Sequence, residues 1–277
     1  MLDENVRIRS QWNRVWESLE FEDHLKTIPY TGLIPIFQQH FKPQDLVLEG
    51  GCGLGKLVVF LSERGYQIIG VDHNLGPLQK IQSYYPQARI VQGDIFKLCL
   101  PDQCLDAYIS IGVIEHFIDG PAIALAETRR VLRPGAKLIV SVPCKNELRR
   151  VLYPLTEPFL RLRHWIRTKP RLRKILGKRL LRPDELEFFY QYYFTADDLG
   201  AVLREAGFQP ETFYAMEQEL GLYRDSGIFK LLIGKPGGKG RGGYPILTGC
   251  GKWLCNFLNR HTPYATNHMV VCVAVKI

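Results

Sequence analysis

An acid followed by closely spaced glycines is the feature of this chain best suited to binding chemistry. Glu49 follows the apolar run 46–48, and Gly51, Gly53 and Gly55 come at every second position before a helix-like pattern begins. Glycines let the backbone turn sharply and approach a ligand, and the carboxyl edge of a parallel sheet leaves a crevice at such a turn. The pattern predicts a nucleotide-sized site between a strand and a helix.

The glycine spacing and the acid indicate which ligand this turn binds. A dinucleotide fingerprint requires G-x-G-x-x-G with a pyrophosphate at the helix N-terminus, whereas this chain has G-x-G-x-G. Glu49 would repel a pyrophosphate, but it suits a ligand with a cationic amine or sulfonium. A nicotinamide-dependent dehydrogenase is therefore the least favoured enzyme class. A second acid, Asp72, closes the apolar run 67–71, where a carboxylate could take both hydroxyls of a ribose.

These residues resemble the class I S-adenosylmethionine-dependent methyltransferases, whose motif is an acid followed by G-x-G-x-G. The resemblance continues in register through Asp72, residues 93–95, residues 111–117 and residues 130–135, and it covers residues 45–143. The overall pattern is similar to small-molecule and quinone-type O-methyltransferases. The resemblance implies S-adenosylmethionine as the cofactor.

The resemblance also implies where the methionine end of the cofactor would lie. Gly51, Gly53 and Gly55 would pack under the methionine portion, and Glu49 would face its amino end directly or through water. The backbone at Ile111 would meet the methionine moiety. The alternative for Glu49 is a helix-capping or surface carboxylate.

The nucleoside end of the cofactor is assigned by the same resemblance. Asp72 would hold the ribose hydroxyls, and Asp94 would accept from the adenine amino group, with Ile95 against the ring. The alternative for both aspartates is a loop cap, because each comes just after a predicted strand.

His116 is the candidate catalytic residue. It follows the fourth strand, on the face where substrate binds in this fold, and a neutral imidazole could take the proton of a phenol or hydroxyl as the methyl group transfers. The alternative is a structural histidine hydrogen-bonded at a helix start. Some relatives hold magnesium in an E-x-x-E-H run, but Gly112 replaces the first carboxylate here, so no metal is predicted.

Alternating strand and helix patterns predict the elements that position these residues. Such alternation builds a parallel sheet, and the predicted fold class is α/β, with a doubly wound, seven-stranded, mostly parallel sheet of the Rossmann-like methyltransferase kind. Thr195 is expected to cap a helix that ends at Gly207. The expected strands lie near 45–49, 67–71, 88–92, 106–111 and 136–142, followed by an antiparallel pair at 208–214 and 269–277. Other helices are expected near 6–21, 31–41, 55–64, 75–85 and 120–132.

A single domain is predicted over residues 1–277. A helical cover with Trp12 and Trp16 on one face would close the cofactor mouth. The predicted parts are the N-terminal cover 1–43, the cofactor-binding core 44–143, a helical basic lid insertion after strand five at 144–193, and the C-terminal part of the core at 194–277, with a flexible Gly-rich loop at 234–243.

Positive charge is concentrated in one segment. Residues 145–182 contain 13 Lys and Arg against two Glu, a net charge of +11, whereas the whole chain carries +8. The segment could be a solvated lid, a helix lying on an anionic membrane, or a phosphate-tracking surface for RNA. The apolar residues Leu160, Leu162, Trp165 and Ile166 favour membrane over nucleic acid.

Composition narrows the compartment and the class of protein. Hydrophobic residues make up 46% of the 277, enough for a sizeable core, and seven cysteines without a paired C-x-x-C pattern suggest neither a disulfide framework nor a zinc site. The start lacks a basic flank and apolar core, and no run approaches the length of a membrane span. The sequence predicts a cytoplasmic protein, with peripheral membrane contact through 145–182.

The function predicted is transfer of a methyl group from S-adenosylmethionine to a hydrophobic or aromatic small-molecule acceptor, lipid-like acceptors included. One alternative is an RNA or protein methyltransferase that binds its macromolecule through the basic segment. A second alternative is a non-catalytic S-adenosylmethionine-binding regulatory protein.

Overall fold

A computed structural model of the chain describes residues 12–17, 19–152, 191–238, 241 and 243–277. At the centre of these residues lies a seven-stranded sheet with strand order β3-β2-β1-β4-β5-β9-β6, and a separate two-stranded ribbon pairs β7 with β8. The strands are β1 Leu46–Gly50, β2 Gln67–Asp72, β3 Ile90–Gln92, β4 Leu105–Ile111, β5 Leu132–Pro143, β6 Phe208–Met216, β7 Gly234–Lys235, β8 Ile246–Leu247 and β9 Met269–Lys276.

The sheet is mostly parallel, as predicted. β1 pairs in parallel with β2 and β4, and the same direction continues to β3 and β5. β9 runs antiparallel to both β5 and β6. β5 is longer than the predicted 136–142 because Leu132 already pairs with Leu105, before a shift in register.

Helices cover both faces of the sheet. One apolar cluster includes Phe37 and Leu57, and the cluster on the other face includes Leu125 and Leu199. The helices from the N-terminal region to the sixth strand are Phe21–Leu25, Ile28–Thr31, Leu33–His40, Lys56–Ser62, Leu75–Tyr84, Ala122–Val131 and Ala196–Glu205. Residues 12–17 are helical as well.

The predicted N-cap at Thr195 is confirmed in detail. The Thr195 hydroxyl accepts from the Asp198 amide at 3.1 Å, and the Asp198 carboxylate accepts from the Thr195 amide at 3.0 Å. This reciprocal pair is a capping box. Sequence pattern and structure agree at this helix because its start is determined by local hydrogen bonds.

The segment between β6 and β9 is more structured than predicted. It contains the helices Gln218–Asp225, Lys230–Ile233 and Gly249–Leu258, and the β7–β8 ribbon takes up the first two residues of the expected Gly-rich loop at 234–243. Leu222, Ile233, Leu247 and Cys255 form a small core of their own. The ribbon and helix Lys230–Ile233 were missed because they are too short to show a period, and helix Gly249–Leu258, ten residues long, was not predicted either.

The predicted basic lid falls largely outside the described part of the chain. Residues 147–152 are helical, and residues 153–190 lie outside the described residues. Among the helices that the structure describes, none has the length and apolar composition to cross a membrane.

Candidate active site

The carboxyl ends of three parallel strands meet at the glycine-rich turn. The amides of Gly51 and Cys52 both donate to the Val71 carbonyl, at 2.7 and 3.0 Å, which ties the end of β1 to the end of β2. Gly51 has a φ of +72°, and a Cβ there would lie 2.7 Å from Val113 Cγ2. Only glycine fits this close approach without strain. From β1 the chain continues to β2 and β3 on one side of the sheet, and β4 and β5 lie on the other side of β1. The turn lies at this point of reversal, which is the usual ligand position in open α/β sheets.

A cavity of about 250 Å³ opens at this edge of the sheet. It brings together most of the residues that the sequence singles out, although they come from the ends of four different strands, β1 to β4, and from the segments that follow them. The predicted site residues in its lining are Glu49, Gly51, Asp72, Asp94, Ile95, Ile111 and His116.

Gly53 and Gly55 are not in the lining of this cavity. The Gly53 amide donates to Asp72 Oδ2 at 2.8 Å, and a Cβ on Gly53 would lie 2.5 Å from the Trp16 ring. Gly55 has a φ of +60° at the start of helix Lys56–Ser62, and a Cβ there would lie 2.6 Å from Ile81 Cδ1. These two glycines shape the turn and its packing, whereas Gly51 faces the cavity.

Asp72 is held in place by the backbone on both sides. Its Oδ1 accepts from the Asn74 amide and its Oδ2 from the Gly53 amide, each at 2.8 Å, and the side chain is buried. Each carboxylate oxygen has a further lone pair. The loop-cap and ligand-binding roles are therefore compatible, since the backbone bonds fix the carboxylate and leave it able to accept from hydroxyls.

Glu49 is a buried acid with one carboxylate oxygen, Oε2, that is unpaired within the described part of the chain. Among the described residues, none hydrogen-bonds to Glu49 Oε2. Burial raises the pKa of Glu49 to about 8; the nearby charge of Lys56 opposes this rise and that of Asp72 adds to it. A buried unpaired carboxyl group is costly unless a ligand completes it, and a cation would do so best.

Asn74 supplies a donor that the sequence did not reveal. It occupies the N-cap position of helix Leu75–Tyr84, but its side chain makes no capping bond. The residue is buried in the cavity wall, and within the described part of the chain its Nδ2 finds no hydrogen-bond partner. An asparagine that does not cap is available to a ligand, and this could not be recognised without the backbone geometry.

Asp94 begins the apolar end of the cavity. Its Oδ1 accepts from the Phe96 amide at 3.0 Å, which turns the chain so that Ile95 and Phe96 both reach the lining. The rings of Phe96 and Phe117 lie 4.7 Å apart with their planes tilted by 56°. This end can accept a flat, weakly polar ring.

Two tryptophans of the helical segment 12–17 cover one side of the cavity. Trp12 and Trp16 stack at a centroid distance of 5.1 Å, and both line the cavity, where the sequence placed them. Lys80 Nζ donates to the Trp16 carbonyl at 2.9 Å and so joins this segment to the body of the domain. The edge of Trp12 meets the His116 ring at 5.1 Å.

His116 belongs to the short 3₁₀ turn Ile114–His116 at the end of β4. It is buried and lines the cavity, whereas Glu115 lies outside the lining. Glu115 Oε1 is 3.7 Å from His116 Nε2, longer than a hydrogen bond. Burial raises the pKa of Glu115 to about 8. At neutral pH this neighbour is mostly uncharged.

Three basic residues in the cavity wall, His24, Lys56 and His73, were not predicted. Lys56 Nζ donates to Thr27 Oγ1 at 3.1 Å; burial lowers its pKa, while the charges of Glu217 and Glu49 oppose that shift. Burial, reinforced by Lys56, lowers the pKa of His24 to about 3. Lys56 therefore connects the glycine-rich turn to the N-terminal cover.

Among the described residues, no group of three or more His, Cys, Asp and Glu side chains is arranged to hold a metal ion. The position where an additional carboxylate would be needed is Gly112, which has a φ of +69°.

Comparison with known proteins finds similarity over part of the chain. Residues 48–140 match the family model described as a methyltransferase domain. A probable S-adenosylmethionine-dependent methyltransferase of Mycolicibacterium smegmatis is 36% identical over 97 residues, which is 35% of this chain and 37% of that protein. The malonyl-[acyl-carrier protein] O-methyltransferase of Serratia marcescens is 32% identical over 109 residues, 39% of this chain and 42% of that protein.

The fold extends beyond the region of sequence similarity. The crystal structure of an S-adenosylmethionine-dependent methyltransferase from Methanosarcina mazei covers 88% of this chain and 97% of its own, with a TM-score of 0.56 and 19% identity. The chain thus has the Rossmann-like methyltransferase fold. The sequence match spans only about two fifths of the length of the curated relatives.

Proposed function

We propose that this chain, which carries a class I S-adenosylmethionine-dependent methyltransferase domain, transfers a methyl group to a hydrophobic or aromatic small-molecule acceptor. The observation that supports this most is the combination of groups in one cavity. Glu49 presents an unpaired acceptor oxygen, Asp72 presents a carboxylate fixed by two amides, and Ile95 and Phe96 form an apolar end.

These residues fit S-adenosylmethionine at each of its chemical parts. Glu49 would hold the amino group, and Gly51 gives the methionine portion close access to the backbone near Ile111. Asp72 would accept from the ribose hydroxyls. Asp94 would accept from the adenine amino group, with Ile95 against the ring.

The bound cofactor supplies a methyl group already activated on a sulfonium. The protein therefore has to align the acceptor with that methyl group and exclude water, and such positioning can lower a barrier by roughly 7–11 kcal/mol. Trp12 and Trp16 shield the cavity from solvent on the N-terminal side. Both tryptophans thereby favour an acceptor with an apolar or aromatic body.

His116 is proposed as the base that removes the acceptor proton. It is a cavity-lining imidazole, buried beside Trp12, and its acidic neighbour Glu115 is mostly neutral at pH 7 because burial raises its pKa to about 8. A neutral imidazole can accept a proton from a hydroxyl or phenol. The O-methyltransferase name of the relative from Serratia marcescens supports an oxygen acceptor.

The basic segment remains the basis of a second candidate. An RNA or protein methyltransferase would use residues 145–182, whose net charge of +11 favours an anionic partner. Membrane contact through the same segment is a prediction as well, and residues 153–190 lie outside the described residues. Methylation of RNA that falls steeply with rising salt, together with no methylation of lipid-like acceptors, would favour the macromolecular substrate.

The test combines binding and transfer on one preparation. Purified protein is titrated with S-adenosylhomocysteine and then incubated with methyl-labelled S-adenosylmethionine and fractionated cell extract. Label in the lipid or small-molecule fraction supports the proposal, and label in RNA or protein supports the second candidate. Binding without label in any fraction would favour a non-catalytic regulatory protein.

A further inference from the structure

The helical unit between β6 and β9 exposes an unusual amount of apolar surface. Leu231 is 86% exposed and Trp253 is 63% exposed. We call this surface the apolar patch; its members are Phe229, Leu231, Leu232, Trp253 and Phe257. Single exposed apolar side chains are ordinary, but several on one small unit mark a site of interaction.

The two helices that carry most of the patch are closely packed against each other. Helix Gly249–Leu258 approaches helix Lys230–Ile233 so closely that a Cβ on Gly251 would lie 2.0 Å from the Ile233 carbonyl oxygen. Beneath the contact, Ile233 and Cys255 are buried in the unit's own core. The exposed side chains are therefore those that these helices cannot bury in the folded chain.

Two aromatic residues form a stripe on the outer face of the longer helix. Trp253 and Phe257 are one turn apart, and their rings stack at 5.3 Å with an angle of 11°. The Phe257 ring meets His261 edge-on at 6.5 Å. An exposed aromatic stripe with a polar group at its end is typical of side chains that enter a membrane interface.

The part of the chain that carries the patch is cationic. Residues 226–277 contain seven Lys and Arg and no Asp or Glu. Lys235, Lys252 and Arg260 are exposed on the same unit as the patch, and half-buried Lys230 lies 5.7 Å above the Tyr223 ring. Helix Gln218–Asp225 of the same unit adds the acids Glu219 and Asp225, of which Asp225 pairs with Arg149. A partner that contacts the patch must therefore be compatible with an excess of cations.

Charge disfavours two occupants from within this protein's own sequence. Residues 153–190 carry ten Lys and Arg against four acids, and a second copy that docked through the same unit would present the same cations. Either would bring like charges together. Nucleic acid would satisfy the cations, but Leu231 and Leu232 have neither charge nor a ring to stack on a base.

We propose that the apolar patch docks this protein on the surface of an anionic phospholipid bilayer. The aromatic and aliphatic side chains would enter the headgroup boundary, and the surrounding cations would lie at the level of the phosphates. This interaction is independent of the methyl-transfer chemistry and of residues 145–182.

The experiment is sedimentation of the full chain with sucrose-loaded vesicles, without cofactor or acceptor. The vesicles consist of phosphatidylcholine alone or of phosphatidylcholine mixed with phosphatidylglycerol. We expect binding to the mixed vesicles, weakening with salt, and little binding to the neutral ones. Because neither cofactor nor acceptor is present, failure here leaves the proposed enzymatic function unaffected.

Three variants identify the surface that binds. Replacing Leu231 and Trp253 together by Ser should weaken partitioning at least about tenfold, since burial of each side chain contributes to binding. Lys252→Gln combined with Arg260→Gln should weaken it about 25-fold, at about a factor of five for each cation near an anionic surface. Ile123→Ser is the matched control, because Ile123 is 63% exposed on a different helix.

Thermal unfolding and S-adenosylhomocysteine affinity of all variants check that they remain folded. No binding to mixed vesicles by the wild-type protein would overturn the proposal. Unchanged binding in the Leu231/Trp253 variant would also overturn it and would place the contact elsewhere. Preference for single-stranded RNA over the mixed vesicles, with the same loss in both variants, would assign the surface to nucleic acid instead.

Discussion

Cofactor affinity should rise with pH because of Glu49. Burial raises the pKa of this acid to about 8, with the Lys56 charge opposing the rise. A pKa of about 8 leaves about one tenth of the protein with ionised Glu49 at pH 7, and about one hundredth at pH 6. If ionised Glu49 is the form that binds the cofactor's cationic amino group, binding must release the proton from Glu49.

The magnitude follows from this linkage. Binding favours the deprotonated acid, so the pKa of Glu49 falls in the complex and acid conditions oppose binding. The association constant for S-adenosylhomocysteine should therefore increase about tenfold from pH 6 to pH 7 and level off above pH 8. About 0.9 proton should be released per ligand bound at pH 7.

Calorimetry in buffers of different ionisation enthalpy measures both quantities. Glu49→Gln is the control, because it keeps the shape of the side chain and removes its titration. The variant should bind more weakly at pH 8, by about 1.5–3 kcal/mol, and should release no proton. A wild-type affinity that stays constant from pH 6 to pH 8 would refute the assignment of Glu49 to the ligand's cation.

Four further changes test the rest of the site. Asp72→Ala should weaken S-adenosylhomocysteine binding by about 1.5–3 kcal/mol for each hydrogen bond lost, and unchanged affinity by calorimetry would remove the ribose assignment. Gly51→Ala should destabilise the fold by about 1–3 kcal/mol in denaturant unfolding, because a Cβ would lie 2.7 Å from Val113 Cγ2 at a φ of +72°. His116→Gln should lower turnover on a hydroxyl acceptor about 10²-fold or more with little change in cofactor affinity, and normal turnover would leave His116 a structural role. Glu115→Gln should raise the melting temperature relative to wild type most at pH 9, less at pH 6 and hardly at pH 4, because the unfolded state ionises this acid from its ordinary pKa upward whereas the folded state ionises it only from about pH 8.

The parts of the fold that sequence patterns predicted are those with local or strongly periodic causes. The capping box at Thr195 is formed by side chains three residues apart, and the helix Ala122–Val131 ends just before Pro134 and Gly135, residues that do not continue a helix. The strand alternation through β5 follows from apolar runs long enough to be buried in a parallel sheet. These features require no knowledge of distant contacts.

The helical unit between β6 and β9 could not be predicted in the same way. The helix Lys230–Ile233 and the ribbon of Gly234–Lys235 with Ile246–Leu247 are too short to show a period. They exist because Leu222, Ile233, Leu247 and Cys255 bury one another. The glycines at 234–243 indicated a loop but not the pairing at its base.

The residues of the candidate site also divide into those that sequence patterns predicted and those that they missed. Seven of the nine predicted residues reach one cavity, because a motif at the end of each parallel strand converges on the same edge of the sheet. Asn74 and Lys56 were missed because their roles depend on tertiary geometry. Asn74 is important only because its side chain makes no capping bond, and Lys56 only because its amine lies between Thr27 and the acids near it.

The most direct test of the central claim compares wild type with Asp72→Ala in a labelled transfer assay. Both proteins are incubated with methyl-labelled S-adenosylmethionine and the lipid, small-molecule, RNA and protein fractions of a cell extract. The expected result is methylation by the wild type, with S-adenosylhomocysteine formed in an equal amount. In the variant, methylation should be sharply reduced. Tight S-adenosylhomocysteine binding by the wild type without label in any fraction, RNA and protein included, would contradict the claim that this cavity catalyses methyl transfer.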